Sequence, residues 1–270
     1  MTSTKYVMDI ELTPMLAGIW SLDNKHARID PRMVYQRQYM LSMAIKPLGV
    51  DGKHTKLFIL TDYGLPSKGY GPAELEKAEG KMMKDIHKHL LKVDYLIGHN
   101  MGGFDRKHLN TFLMKHKLPP LPCEVLDTLT MIKQVAKLPS NRLGDVTVEF
   151  NLATKMPGMG YHKLLSFALG TAFKSDWDML GKYNKQDVIA NEPLHDLLVP
   201  FVKSYPNDSS DVVSNNGGKP VCPRCMSDNL IRHGHYSLTS GRKRQRYRCK
   251  SCGYFPSSRM SEPINSNVLK

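Results

Sequence analysis

The run Tyr6-Val-Met-Asp-Ile-Glu-Leu12 is rich in β-formers and carries its two acids two positions apart, which predicts a strand over residues 5–12 bounded by Pro14. Short β-rich stretches at Gly18–Leu22, Tyr39–Ile45 and Lys56–Thr61 predict further strands, with polar Asp23–Tyr35 unassigned between the first two. From Ala73 to Lys92 the apolar residues Leu75, Met82, Met83, Ile86, Leu90 and Leu91 recur at helical spacing. A strand Val93–Ile97, a Gly-rich turn Gly98–Gly103 and a helix Phe104–His116 follow, the helix stopped by Pro119, Pro120 and Pro122. Glu124–Leu126 reads as a strand ending at Asp127, and Thr128–Ala136, Gly144–Leu152 and Tyr161–Ala168 as helices. Trp177–Val199 predicts a last helix or helix pair that Pro193 kinks or interrupts. Strands in a meander, then strands alternating with helices, indicate an α/β fold with a mixed sheet flanked by helices.

Tyr205–Gly218 gathers Pro, Asn, Asp, Ser and Gly and reads as a linker. It divides the 270 residues into a large domain over 1–204, a linker over 205–218, a small domain over 219–260 and a flexible tail over 261–270. Net charge of +13 is spread unevenly: 11 Lys/Arg stand against 2 Asp/Glu from Gly217 onward, and 27 against 23 before it. Such concentration of positive charge predicts a polyanionic partner for the C-terminal part. With 41% hydrophobic and 23% charged residues, no apolar run of membrane-spanning length and no secretory leader at the N-terminus, the expected location is the cytoplasm.

Four acids in three segments carry the candidate chemistry. Asp9 and Glu11 share a strand face, while Met8 and Ile10 point the other way. Asp105 closes Gly-His-Asn-Met-Gly-Gly-Phe-Asp in the first turn of its helix, and Asp187 follows Tyr183 at helical i, i+4 spacing. Carboxylates in apolar surroundings are costly without a cation among them, and divalent ions held by carboxylates serve phosphodiester hydrolysis. Taken singly, each piece also reads as a surface acid pair, a helix N-terminal charge or an ordinary helix pairing. Asn100 either contacts a substrate or caps the following helix, and Thr13 carries the same two readings. Asp127 reads as a local cap or buried hydrogen-bonding group rather than a ligand, and His99 and His162 as phosphate contacts or hydrogen-bonded structural groups.

In order and context the three segments resemble the motifs of the DEDD superfamily of 3′–5′ exonucleases. Asp9 and Glu11 match the first motif, Asp105 with Asn100 and Phe104 the second, and Tyr183 with Asp187 the third, as in the tyrosine branch. The resemblance covers roughly residues 5–200 and implies a ribonuclease H-like fold with two Mg²⁺ or Mn²⁺ ions. Asp9 would bridge the ions, Glu11 and Asp187 would hold one, Asp105 would help place the other, and Tyr183 would orient the attacking water. It also implies Asn100, Thr13 and Phe104 as substrate contacts. The irregular stretch Lys155–His162 before the third motif departs from a minimal member.

Cys222-Pro-Arg-Cys225 and Cys249-Lys-Ser-Cys252, with 23 residues between the pairs, supply four soft ligands for one tetrahedral Zn²⁺. Cys123 is left over and reads as a small buried side chain. The alternating run Ile231–Leu238, a turn Thr239–Gly241 and a strand Gln245–Arg248 fit a hairpin between the pairs. The segment resembles zinc ribbons of transposase-associated proteins and phage-type exonucleases. Arg242, Lys243, Arg244, Arg246 and Arg248 flank Tyr247, a composition suited to phosphate contact and base stacking. The reading is a metal-dependent 3′–5′ exonuclease that favours DNA, in the host cytoplasm for a viral chain, with a polymerase or replication protein as a partner in trans and no membrane partner. Its alternatives are a 3′–5′ exoribonuclease and a non-catalytic nucleic-acid-binding module.

Overall fold

The computed structural model describes residues 4–19, 29–152, 156, 158–202, 205, 213–214, 220–223, 225, 227–237 and 242–263. Contacts divide the chain after Val202 into a larger and a smaller unit.

In the larger unit, β1 (Lys5–Leu12) and β2 (Leu16–Ala17) are followed by β3 (Val34–Gln36), β4 (Met40–Pro47), β5 (Lys56–Ile59) and helix α1 (Pro72–Leu90). Then come β6 (Tyr95–Gly98), α2 (Asp105–Lys115), β7 (Glu124–Asp127), α3 (Thr128–Val135), α4 (Leu143–Glu149), α5 (Tyr161–Ala168) and α6 (Lys174–Leu198). Five strands form one mixed sheet in the order β5-β4-β1-β6-β7. β1 is central, antiparallel to β4 and parallel to β6, and β7 continues the parallel half. Helices cover the sheet, so β4 is buried at seven consecutive positions rather than alternating.

The period-2 alternation of β1 sorts its side chains. Met8, Ile10 and Leu12 enter a core shared with Met82, Met83 and Ile86 of α1 and with Leu109 and Phe112 of α2. Asp9 and Glu11 face the other side, where α6 packs on β1 and β4. Buried Lys46 ties β4 to α6 through an ion pair with Glu192, whose other oxygen accepts the Gly49 N–H. α6 runs as one helix through Pro193, where an interruption was expected. Leu180, Val188, Leu194 and Leu198 bury one stripe of it, and that packing outweighs the single donor that proline removes.

The expected strand Gly18–Leu22 does not form at Gly18–Ile19, and its remaining residues lie outside the described ones. The pairing falls earlier, at Leu16–Ala17 against Val34–Gln36, where Leu16 is buried. Within the irregular stretch Lys155–His162, residues 155 and 157 also lie outside the described residues. No helix among the described residues is long and apolar enough to cross a membrane.

The smaller unit holds β8 (Val213–Ser214) paired with β9 (Pro220–Val221), and a three-stranded antiparallel sheet. That sheet is β10 (Leu230–Ser237), β11 (Arg242–Cys249) and β12 (Ser257–Pro263), in that order. The expected hairpin is present, while its turn at Thr239–Gly241 lies outside the described residues. β12 was not foreseen, because Ser-Ser-Arg-Met-Ser-Glu-Pro has no apolar alternation; it takes in the first residues of the expected tail. Most of the expected linker lies outside the described residues, but Val213–Ser214 within it is strand.

Candidate functional site

Asp9 and Glu11 stand on the β1 face against which α6 presents Asn184, Asp187 and Asn191, spaced i, i+3 and i+7 along one side of the helix. Oxygens of Asp9, Glu11 and Asp187 lie within 4.8 Å of one another. Opposite oxygens of an octahedral Mg²⁺ are separated by about 4.2 Å, so a divalent ion needs only small adjustments to be held by all three. Three carboxylates at this spacing in a half-buried setting are the donor chemistry that a hard cation matches.

Asn184 fixes the site from behind. Its amide is fully buried and donates from Nδ2 to Asp9 Oδ2 at 2.7 Å, while its Oδ1 accepts the Ser42 hydroxyl at 3.0 Å. Ser42 lies opposite Glu11 in the β1–β4 register, so one relay joins both strands to α6. Sequence reasoning missed Asn184, although its i, i+3 spacing from Asp187 placed it on the same side of the helix as that carboxylate.

Asp105 is brought to the same end of β1 by a different device. β6 stops at Gly98, so its pairing with β1 ends and the Ile10 N–H has no partner there. Asp105, in the first turn of α2, accepts that N–H at 3.3 Å. Burial pushes its carboxyl up to about 7, against the opposing pull of its own N–H and that of Ile10. Asp105 is not a member of the close Asp9–Glu11–Asp187 group.

The turn between β6 and α2 is held by Asp127, which accepts the N–H groups of Asn100, Gly102 and Leu129 at 2.9 Å each. Asp127 is thus the cap of α3 and the anchor of the turn. Asn100 adopts a left-handed backbone (φ 64°), which asparagine tolerates better than most residues. At Gly98 a Cβ would stand 2.4 Å from the Met101 Cε, the free end of a flexible side chain, and 3.1 Å from the Met8 carbonyl, so a methyl group here would press on both the turn and β1.

A cleft of about 560 Å³ opens beside the carboxylates, lined by Asp9, Asp187, His99, Asn100, Lys133 and Arg142 among others. Exposed Lys133 and Arg142 give it a cationic wall that sequence reasoning did not single out. Nothing in their spacing marks them, because α3 and the approach to α4 meet the cleft only through the fold. His99 is a strut of this wall: its Nε2–H donates to the Asn141 carbonyl at 2.7 Å, and its Nδ1 lies 3.1 Å from the Thr128 hydroxyl. Thr128 in turn reaches Asn191 of α6 at 2.8 Å.

Other expected substrate residues stand differently. Thr13 is buried, and its hydroxyl accepts the Tyr39 N–H at 2.9 Å, so it joins β1 to β4 rather than facing the cleft. Phe104 precedes α2 half-exposed, its ring tilted on His108 at 4.5 Å. Tyr183 lies one turn before Asp187, half-buried against the core. Neither Thr13, Phe104 nor Tyr183 is among the described residues that line the cleft.

In the smaller unit the four cysteine sulfurs converge, all within 4.8 Å of one another. Cys222 Sγ lies 3.6 Å from Cys252 Sγ, and Cys225 Sγ the same distance from Cys249 Sγ. A disulfide would require about 2.05 Å, whereas sulfurs around a tetrahedral Zn²⁺ stand about 3.8 Å apart. Burial raises both Cys249 and Cys252, but N–H groups of Cys252 and Ser251 and the Cys225 and Cys252 thiols bring Cys249 down to about 7. The neighbouring thiols push Cys252 further up, so the crowded set favours one thiolate until a cation is held among them. Both features fit zinc. Along β11 alternate residues face opposite sides, which separates Tyr247 from the arginines expected to flank it. Arg246 and Arg248 are exposed, Arg244 is half-buried, and Lys243 lies on the Tyr247 side; the Arg242 side chain is outside what the structure describes.

No protein-family model matches this chain, and no curated protein matches it as a relative.

Proposed function

We propose that the chain is a metal-dependent 3′–5′ exonuclease of the DEDD type, tyrosine branch, acting on DNA. The observation that carries this reading is the convergence of Asp9, Glu11 and Asp187 from a central strand and a distant helix into one oxygen cluster beside an open cationic cleft. The strand order supports a ribonuclease H-like fold: three antiparallel strands, then two parallel to the first, with the acids on the central strand. Polarity of attack and the choice of branch rest on the motif resemblance.

Asp9, Glu11 and Asp187 would hold a divalent cation, and Asp105, bound to the Ile10 N–H between the two β1 acids, would help place a second one. Divalent ions there supply Lewis acidity that polarises a phosphoryl oxygen and eases ionisation of water. Asn184 keeps the Asp9 carboxylate in one orientation. Lys133 and Arg142 hold phosphates of the strand along the cleft. The Asn100 turn lines that cleft. On the motif resemblance alone, Tyr183, one helical turn before Asp187, would orient the attacking water. The Cys222–Cys225–Cys249–Cys252 cluster holds a structural Zn²⁺, and the basic ribbon grips nucleic acid.

The test is incubation of end-labelled DNA and RNA strands with Mg²⁺ or Mn²⁺, with and without chelator, for the parent chain and for Asp9→Ala and Asp187→Ala. Metal-dependent loss of DNA by the parent alone supports the proposal. Preferential RNA degradation would make it an exoribonuclease, and equal turnover by a folded Asp187→Ala chain would sink the site assignment.

A further inference from the structure

The ribbon sheet has two faces of different chemistry. Arg246 and Arg248 share one face of β11, and Ile231, opposite Arg248 on β10, lies on that face with them. The loop after the fourth cysteine brings Phe255 onto the same face. The Arg246 guanidinium stands over its ring, 5.0 Å from the centroid, and that of Arg248 at 5.9 Å, so a base would take ring surface the two arginines leave open or free by turning to phosphate. His233 meets the ring edge-on, with centroids 5.1 Å apart at 79°.

Phe255 is pinned on both sides yet left open. The Tyr254 carbonyl accepts the Cys249 N–H, and the Pro256 carbonyl accepts the Tyr247 N–H, each at 2.7 Å. The backbone is therefore locked to β11 at the metal knuckle, while the ring remains 39% exposed. An aromatic ring held out of the core adds little burial to the fold. β10 and β11 carry no Asp or Glu, so nothing on those strands neutralises the two arginines.

We propose that this face is a platform for single-stranded nucleic acid, with an unpaired base stacked on Phe255 and the flanking phosphates held by Arg246 and Arg248. An exposed ring stacks on any base whose face is open, which duplex bases are not. Guanidinium forks match phosphate oxygens, and their contact with the ring holds them beside the base. His233, roughly perpendicular to the ring, helps set its orientation. The proposal replaces Tyr247 by Phe255 as the stacking aromatic. It rests on the reading of the ribbon as a nucleic-acid grip and is independent of the nuclease chemistry.

The test uses the full-length, zinc-loaded chain carrying Asp187→Asn so that bound strands survive, and fluorescence anisotropy with labelled oligothymidylate. Phe255→Ala should weaken binding about 5- to 100-fold with an unchanged salt slope. Phe255→Trp should retain affinity, and Phe255→Leu, also zinc-loaded, should not. Arg246→Ala and Arg248→Ala should each lower the salt slope by about one. On an abasic strand, or on duplex, the difference between parent and Phe255→Ala should vanish. Equal affinity of Phe255→Leu and the parent, or a Phe255→Ala loss of the same size on abasic and normal strands, would overturn the proposal. Because binding is read without turnover, absence of cleavage by the unmutated chain would count against the nuclease reading only.

Discussion

Asn184 is the residue on which the geometry of the acidic cluster turns. Its amide has no rotational choice, since one end is spent on Asp9 and the other on Ser42. Asn184→Ala should leave the fold intact and lower Mn²⁺ affinity and turnover about 10- to 100-fold, measurable by titration calorimetry and by initial rates. Unchanged affinity in the variant would remove the relay from the site. Asp105 gives a second prediction, with a definite sign. Its folded pKa, about 7, lies above the ordinary 3.8, so the native chain holds this proton more tightly. The stabilisation is full below about pH 4 and is lost as pH rises through 7. In metal-free protein Asp105→Asn should therefore match the parent near pH 4 and exceed it above pH 7, by an upper figure of about 4 kcal/mol. Urea unfolding at the two pH values checks this; equal stability at high pH would contradict it. Period 2 made the shared face of Asp9 and Glu11 legible in the sequence and period 3.6 that of Tyr183 and Asp187, while the motif resemblance is what grouped the three acids. Lys133, Arg142 and Phe255 were not legible, because their directions depend on how separate elements meet.

At the scale of elements, the close of β6 decides how the site is assembled. β6 ends one residue before the turn anchored by Asp127, and its end exposes the Ile10 N–H to Asp105. Gly98→Ala would push a methyl group toward Met101 and the Met8 carbonyl. The expected cost is about 1–3 kcal/mol, with weakened metal binding as the Asn100 turn shifts. Thermal unfolding with and without Mn²⁺ reads both effects, and a variant as stable as the parent would contradict the close packing. Helices α1 to α5 were readable from apolar spacing and proline stops. β2 and β12 were not, since one is two residues long and the other has Met260 as its one large apolar residue, so neither imprints a hydrophobic pattern. α6 was expected to yield at Pro193, but buried residues on both sides of it hold a single helix.

On the scale of the whole molecule, the chain pairs a mixed-sheet unit carrying a hard-cation donor set with a small unit carrying a soft one. The 11 Lys/Arg from Gly217 onward bias the small unit toward polyanions. Small units of this kind draw stability from their metal. Removal of zinc should unfold residues 220–263 while the unit ending at Val202 stays protected, as hydrogen exchange would show. Loss of protection in both units together would contradict that independence. The division after Val202 falls close to Tyr205–Gly218, the stretch whose composition reads as a linker, and the four cysteines picked out by their spacing converge into one soft-cation donor set. The central claim is that the acidic cluster removes nucleotides from a 3′ end. It is tested most directly by the product ladder of a 5′-labelled DNA strand in Mn²⁺. The account predicts progressively shorter labelled products with the parent chain and an intact strand with Asp187→Ala. Internal cuts, release of the label as a mononucleotide at the outset, or an undegraded strand with the parent would contradict it.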